Sequence, residues 1–184
     1  MPDGPGEALD FGAGHSHLGL AAARKGFSVT AIDLLSIRWY YQHPRLRFVQ
    51  RDIFDLHLAA NHFDLIINCS SIEHVGLAGR YGVSESLPNG DIDAMKRLKE
   101  LLKPGKLMLL TIPVGKDKVI SYRHRVYGID RLPVLLDGWQ LIKEEFWAKD
   151  ENNIWNSVDK TVAISRVPTD HYYNLGLFIL QRPV

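Results

Sequence analysis

A single cysteine, Cys69, stands in the chain of 184 residues, so the sequence can form no internal disulfide and no thiolate metal site from cysteines of its own. The formal net charge of +1 gives no overall attraction to nucleic acid or to an anionic membrane. The chain also lacks an apolar run as long as a transmembrane helix, and its first residues, MPDGPGE, lack the basic and apolar regions of a signal peptide. We therefore expect a cytoplasmic protein with neither a nucleic-acid nor a membrane partner.

The rest of the composition is typical of one soluble globular domain, which we expect to span residues 1–184. Hydrophobic residues make up 46% of the chain and charged residues 23%, and no repeat or low-complexity segment interrupts it. The breaks in pattern at 79–91, 113–126 and 149–160 are interpreted as loops within this domain.

The most informative stretch, residues 8–33, predicts a strand, a tight turn, a helix and a second strand. These four parts lie, in order, at 8–11, 12–14, 18–25 and 27–32. Gly26 stands where glycine commonly ends a helix. Asp33 ends the second strand, at the place where an acidic residue grips a ribose diol in a doubly wound sheet. The stretch therefore predicts a nucleotide-type cofactor.

The glycine turn distinguishes between two cofactors. A dinucleotide-binding turn has the pattern G-x-G-x-x-G, but His17 stands where the third glycine would be. Asp10 precedes the turn, and the resulting D-F-G-A-G resembles motif I of the class I S-adenosylmethionine (SAM) methyltransferases. SAM has no pyrophosphate and therefore needs no phosphate cradle, and its ammonium group favours a nearby carboxylate. The turn thus favours SAM over NAD.

Later segments continue the alternation of strands and helices. We predict a third strand, a fourth strand, a helix and a fifth strand, in order at 46–50, 63–68, 91–103 and 107–112. The segments FDLIIN and LKELLKPGKLMLLTIP resemble methyltransferase motifs that follow motif I in this order. Two further strand-like segments, 141–148 and 174–181, have no helical run between them and suit the antiparallel hairpin that closes the sheet of class I enzymes. The resemblance implies an α/β fold with a seven-stranded Rossmann-like sheet in the order 3-2-1-4-5-7-6 and helices on both faces.

The same resemblance implies which residues bind S-adenosyl-L-methionine. Asp33 would hold the ribose, and Asp52, after the third strand, would lie near the adenine amino group. An exposed turn aspartate is the alternative interpretation of Asp52. The predicted cofactor-binding residues are Asp10, Gly12, Ala13, Gly14, Asp33, Leu34, Asp52, Ile53 and Asn68.

The segment after the fourth strand, NCSSIEH, is where the acceptor-handling groups of class I enzymes lie. It lacks the proline and aromatic residues of the amino-methylating enzymes of nucleic acids, and Cys69 lacks the Pro-Cys context of base C5 methylation. The pair Glu73-His74 resembles one found in many small-molecule methyltransferases, where a histidine near neutral pKa can take a hydroxyl proton. We predict Glu73 and His74 as catalytic residues, and a purely structural role in fixing the loop is the alternative.

The longer string SSIEHVGLAGRYG resembles a group of uncharacterised methyltransferase-like domains, from which the extra Ala78 departs. Such domains are often associated with sugar and polysaccharide biosynthesis, which implies a sugar hydroxyl as the acceptor. The residues that would bind this acceptor are Arg80, Tyr81, His124 and Arg125. They would supply hydrogen bonds, an aromatic face and a clamp for a carboxylate or phosphate. The alternative for each of these four residues is that it lies on the solvated surface and binds no acceptor. Since no histidine pair with ligand spacing is backed by a carboxylate, we predict no metal ligand, and the question of metal dependence stays open.

The first strand starts near Ala8, without the preceding helices that cover the cofactor in most class I enzymes. Aligning the transferring methyl group requires water to be excluded. We therefore expect the cover to come from the loops 76–90 and 113–126, because long loops are often lids. The alternatives are a second subunit in a homodimer, or no cover at all.

These patterns predict a SAM-dependent methyltransferase that acts at a hydroxyl oxygen of a small molecule or sugar. A protein of another class, a catalytically inactive SAM-binding module that acts as a partner or regulatory subunit, is the main alternative. An NAD-dependent oxidoreductase is disfavoured by His17 and by the late strands, since a dinucleotide fold would supply another crossover helix.

Overall fold

The computed structural model describes residues 1–37, 42–79, 81–121, 123–170 and 172–184. Ten strands lie within these ranges: β1 Gly6–Phe11, β2 Phe27–Asp33, β3 Leu46–Gln50, β4 Phe63–Cys69, β5 Leu102–Val114, β6 Lys118–Ile120, β7 His124–Val126, β8 Gln140–Lys149, β9 Trp155–Ser157 and β10 Asn174–Gln181. The helices are α1 Leu18–Arg24, α2 Gly90–Leu101, α3 Arg131–Leu135 and α4 Lys160–Ser165, with a 3-10 helix at Ile72–His74. None of the described helices is long and apolar enough to cross a membrane.

Eight strands form one sheet in the order β3-β2-β1-β4-β5-β10-β8-β9, and β6 pairs separately with β7. The strands from β3 to β5 pair in parallel, whereas β10 runs antiparallel to both β5 and β8. The predicted order 3-2-1-4-5-7-6 is confirmed, with β10 in the place of the seventh strand and β8 in that of the sixth. The predicted count of seven is corrected to eight, because β9 pairs with the end of β8.

Helices cover both faces of the sheet, as predicted. On one face, Ala22 and Ala23 of α1 pack against Phe27 and Val29 of β2. The larger core lies on the other face, where apolar residues of α2, α3 and α4 meet β4, β5 and β10. The parallel strands β1, β2 and β4 are buried on both faces, which explains why their sequences are nearly continuous apolar runs.

All three predicted loops contain some regular structure, although 79–91 holds only the first two residues of α2. Segment 113–126 holds the antiparallel β6–β7 hairpin, and 149–160 holds β9 and the first residue of α4. Helix α4 also corrects the expectation that no helical run separates the last strands. Its Ala163 is fully buried in the larger core, so packing stabilises a helix that is too short to show a clear sequence period.

A buried ionic cluster joins α2 to the segment that follows the hairpin. Asp91, at the start of α2, is 0% exposed and accepts hydrogen bonds from Arg131 (Nε to Oδ2, 2.9 Å) and from the hydroxyl of Tyr127 (3.0 Å). Arg125 completes the cluster, with its Nε 3.6 Å from Oδ1 of Asp91. Burial, together with the charge of Asp91, raises the pKa of Tyr127 well above its ordinary value, so its hydroxyl remains a neutral donor.

Arg125 extends this cluster to the loop between the 3-10 helix and α2. Its guanidinium donates to the carbonyl oxygens of Val75 (2.6 Å), Leu87 (3.2 Å) and Pro88 (3.3 Å). One side chain therefore fixes both ends of the loop against β7.

We expect Asp91→Asn to destabilise the protein by about 3–5 kcal/mol, because the change leaves the buried guanidinium of Arg125 and the partly buried one of Arg131 without their counter-charge. The measurement is the free energy of unfolding from urea titration. The matched control is Asp93→Asn, which alters a 57%-exposed carboxylate on the same helix. This control should change stability by no more than about 0.5 kcal/mol. Equal effects of the two substitutions would contradict the role given to the cluster.

Candidate active site

A cavity of about 480 Å³ opens at the carboxyl ends of β1, β2 and β4, where open α/β sheets bind their ligands. The turn after β1, the end of β2, the loop after β3 and the segment after β4 form its walls. The predicted cofactor residues that line it are Gly12, Ala13, Gly14, Asp33, Leu34, Asp52 and Ile53. Seven of the nine predicted residues thus lie together.

The turn after β1 needs glycine for reasons of both conformation and space. Gly12 has φ of +64°, in the left-handed region, and a Cβ there would lie 2.3 Å from the side chain of Ser71. Ser71 donates its hydroxyl proton to the carbonyl oxygen of Gly12 at 2.8 Å. This contact ties the turn to the segment after β4, so the two walls of the cavity hold each other in place.

Asp33 is held at the mouth of the cavity by backbone groups. Its Oδ2 accepts the N–H of Gly14 at 3.0 Å, and its Oδ1 accepts the N–H of Leu35, also at 3.0 Å. In the next loop, Oδ1 of Asp52 accepts the N–H of Phe54 at 2.9 Å. Both carboxylates are therefore oriented before any ligand arrives, and each retains further acceptor capacity.

Apolar side chains line the cavity between the two carboxylates, and part of this wall was missed from the sequence. Leu34, Leu35 and Phe54 are 38%, 44% and 43% exposed, although side chains of this kind are usually buried. Such a wall fits a flat, weakly polar ring held between carboxylates that accept its hydrogen bonds. The sequence could have indicated Leu35 and Phe54 as wall residues, since each lies within two residues of a predicted carboxylate. Nothing in the sequence pattern shows that they remain exposed.

Two predicted cofactor residues lie behind the wall. Asn68 is 1% exposed, donates to the carbonyl oxygen of Phe11 at 3.2 Å and accepts the N–H of Ile72 at 3.3 Å. Asp10 is also 1% exposed and points toward α1, where a Cβ at Gly19 would lie 2.8 Å from its Oδ2. The prediction that they contact the cofactor is corrected, because both side chains point into the protein and support the turn from within.

His74 stands on the wall between this cavity and a second one. Its Nδ1 lies 2.5 Å from the carbonyl oxygen of Arg123 in the β6–β7 hairpin. Since a carbonyl oxygen can only accept, Nδ1 carries the proton in the neutral ring and Nε2 keeps its lone pair. Glu73, 2% exposed, places Oε1 3.9 Å from Nε2, beyond hydrogen-bond length but close enough to favour a positive charge on the ring. The pair can accept a proton.

The second cavity, of about 620 Å³, adjoins the first. It is lined by Ser70, Glu73, His74, Pro113, Arg123, His124, Asp170 and Tyr173. Ser70 and His74 also line the first cavity, so the two spaces meet at these residues. Ser70 has φ of +51°, which is uncommon for a residue other than glycine.

The predicted acceptor residues are divided among several places. Tyr81 lines the first cavity, and its ring centroid is 5.5 Å from that of His74. His124 lines the second cavity, 6.1 Å from the ring of His74. Arg125 is corrected to a structural role, because its donors bind the loop carbonyls and its side chain is 3% exposed. Arg80 lies outside the described residues.

Of the two loops predicted to cover the site, one lines the first cavity and the other borders the second. Gly76, Tyr81, Val83 and Leu87 of the 76–90 loop form part of the first wall. The hairpin in 113–126 contributes Arg123 and His124 to the second cavity and holds the ring of His74. The expectation that both loops lie over the cofactor is thus corrected for the hairpin, which lines the second cavity instead.

A family model described as "Caenorhabditis protein of unknown function, DUF268" matches residues 45–169. No curated protein matches the chain.

Solved structures resemble the whole chain. A SAM-dependent methyltransferase from Methanosarcina mazei shares 15% identity with a TM-score of 0.66, covering 100% of this chain and 94% of its own. The 1,6-didemethyltoxoflavin-N1-methyltransferase of Burkholderia thailandensis, with bound S-adenosylhomocysteine, shares 20% identity with a TM-score of 0.62 over 98% of this chain and 72% of its own. Phosphoethanolamine N-methyltransferase 2 of Haemonchus contortus, in complex with S-adenosyl-L-methionine, shares 16% identity with a TM-score of 0.64, covering 100% of this chain and 50% of its own. The fold is that of the class I SAM-dependent methyltransferases.

The buried carboxyl of Asp10 makes stability depend on pH. Burial raises its pKa from 3.8 to about 7; the Gly19 backbone N–H opposes this shift and the charge of Asp33 adds to it. Between these two values the folded protein binds more protons than the unfolded chain, so its stability falls as the pH rises.

Asp10→Asn should therefore remove a loss of about 2–3 kcal/mol that the parent protein suffers between pH 5 and pH 8. The measurement is urea unfolding of both proteins at the two pH values. The matched control is Asp55→Asn, which alters an exposed carboxylate after β3 and should keep the parent's pH dependence. A parent and an Asp10→Asn protein with parallel pH profiles would contradict the shift.

Proposed function

The chain belongs to the family described as "Caenorhabditis protein of unknown function, DUF268", and we propose that it is a SAM-dependent methyltransferase that methylates a hydroxyl oxygen of a small molecule or sugar. One observation carries the proposal. The glycine turn, Asp33 and the apolar wall form a cavity that meets a second cavity at the imidazole of His74, whose Nδ1 lies against the carbonyl oxygen of Arg123.

The lining of the first cavity fits SAM. With SAM bound, Asp33 would accept hydrogen bonds from the ribose hydroxyls, Asp52 would lie near the adenine amino group, and Leu34 and Phe54, which are exposed on the cavity wall, would pack against the purine. The neighbours from B. thailandensis and H. contortus bind S-adenosylhomocysteine and S-adenosyl-L-methionine, which supports the same cofactor for this chain. When bound, SAM supplies a methyl carbon that its sulfonium already activates.

The work left to the protein is to align the acceptor and to remove its proton. His74 takes the hydroxyl proton on Nε2, because Nδ1 is occupied by its bond to the carbonyl of Arg123. Glu73 stabilises the resulting imidazolium from 3.9 Å. The loop that Arg125 anchors places Tyr81 and Leu87 on the cavity wall.

The two N-methyltransferases among the neighbours do not decide the acceptor atom, because they share 20% and 16% identity with this chain. Oxygen is favoured by the imidazole base: a hydroxyl must lose its proton as it is methylated, whereas a neutral amine already presents a lone pair.

Asp33→Ala should weaken the binding of S-adenosylhomocysteine by roughly 1.5–3 kcal/mol, since a charge-assisted hydrogen bond to the ribose is lost. Isothermal titration calorimetry measures this change, and circular dichroism checks the fold. Asp55→Ala, in the exposed loop after β3, is the matched control and should bind as the parent does. Undiminished affinity in a folded Asp33→Ala protein would exclude the proposed contact.

His74→Ala should lower turnover by roughly 10²–10⁴-fold while affinity for S-adenosylhomocysteine stays near that of the parent, because a general base is removed and the cofactor wall is not. The assay follows tritiated methyl transfer from SAM to a panel of monosaccharides and nucleotide sugars. His62→Ala is the control, since His62 precedes the opposite end of β4. If the parent protein binds the cofactor tightly but transfers its methyl group to no acceptor, the result would instead favour the alternative that the chain is a catalytically inactive SAM-binding module.

A further inference from the structure

A further open space lies at the other end of the sheet, at the amino ends of β1, β2 and β3. Its volume is about 490 Å³, which is within the range of small-molecule sites. It shares no lining residue with the two cavities at the carboxyl ends. We call it the amino-end groove. Its polar lining consists of Glu7, Ser28, Thr30, Arg45, Arg47 and His62.

The groove exists because one face of the sheet changes from apolar to polar at a similar level in three strands. The larger core on this face takes up one residue from each strand: Leu9, Ile32 and Val49. Two residues earlier in each strand, and therefore on the same face, the chain has Glu7, Thr30 and Arg47. The segment between β3 and β4, all of which the structure describes, forms no helix that would cover these polar side chains.

Two guanidinium groups in the groove are held in place and are accessible to a ligand. Nε of Arg47 donates to Oγ1 of Thr30 at 3.0 Å, and Nη1 of Arg45 donates to the carbonyl oxygen of Gly26 at 2.7 Å. A guanidinium has five N–H donors, so others remain on each side chain. Both side chains are exposed, and no ion pair within the described ranges involves either of them. Two positive charges that are oriented but not neutralised favour an anionic ligand.

We infer that the amino-end groove binds a phosphate monoester that carries hydroxyl groups, such as a sugar phosphate. Arg45 and Arg47 donate to the phosphate oxygens, because the planar guanidinium matches phosphate geometry. Glu7 stands on β1, two strand spacings from Arg47 on β3, or about 10 Å. It accepts a hydrogen bond from a hydroxyl at the other end of the ligand. This site does not depend on the proposed function, since it lies apart from the cofactor cavity.

The order of side chains across the groove explains the choice of ligand. Ser28 is in register with Glu7, and Thr30 is in register with Arg47, so two hydroxyl groups lie between the carboxylate and the guanidinium. They can donate to either part of a bound ligand. The charge of Glu7 disfavours a polyanion that fills the groove, whereas a phosphate monoester is anionic at one end only.

Four matched probes test the inference by NMR on the full chain at constant ionic strength. The protein, saturated with S-adenosylhomocysteine, is titrated with glucose 6-phosphate, methyl phosphate, glucose and sulfate, and backbone amide shifts are followed. We expect glucose 6-phosphate to shift the amides of Glu7, Ser28, Thr30 and Arg47. It should bind about tenfold more tightly than methyl phosphate, which lacks the hydroxyls, and glucose should not bind measurably.

Two substitutions separate the roles at the two ends of the groove. Arg47→Gln should weaken the binding of glucose 6-phosphate at least about tenfold, because a charge-assisted hydrogen bond is lost. The matched control is Arg24→Gln, at the exposed end of α1 on the other face of the sheet, and should bind as the parent does. Glu7→Ala should weaken glucose 6-phosphate but leave methyl phosphate bound at least as well, since a negative charge is removed.

The inference is overturned if no phosphate shifts the amides of the groove, if sulfate binds as tightly as glucose 6-phosphate, or if Arg47→Gln binds as the parent does. If Arg47→Gln does not fold, the four probes on the parent protein decide the question. A protein that does not bind S-adenosylhomocysteine loses the proposed function but is titrated in the same way without it, because the groove and the cofactor cavity share no residue.

Discussion

The guanidinium of Arg125 is the contact on which both cavities depend. It binds carbonyl oxygens at the two ends of the loop before α2 and lies beside the buried carboxylate of Asp91. A buried guanidinium is tolerated only when its donors and its charge are both satisfied, and the loop carbonyls and Asp91 meet these two needs. The wall over the first cavity and the hairpin beside the second are therefore held by one group.

The hairpin also sets the chemistry of His74. The carbonyl of Arg123 decides which ring nitrogen carries the proton, so a backbone atom from β6–β7 determines the direction from which a proton can be accepted. Glu73 then provides negative charge on the side of the accepting nitrogen. The proposed base thus consists of a residue after β4, a neighbour in the same turn and a carbonyl about 50 positions later in the chain.

Much of the cofactor site could be predicted because its residues belong to short local patterns. A strand, a glycine turn and a strand that ends in Asp33 occupy one continuous stretch, and parallel strands bring their carboxyl ends to one edge. The patterns could not show in which direction the side chains of Asp10 and Asn68 point, and both point into the core. They also could not show that Arg125, chosen as a substrate residue for its charge, is enclosed by carbonyl oxygens.

The sequence by itself determined where the parallel strands lie along the chain, the position of the turn and the carboxylates at the ends of β2 and β3, since local hydrophobic period and glycine placement encode them. The order of the strands in the sheet came from the resemblance to class I methyltransferases. Only the tertiary structure decided what His74 and Glu73 face, because their partners come from distant segments. It also decided the extra edge strand β9 and the short helix α4, whose stability comes from packing rather than from their own few residues.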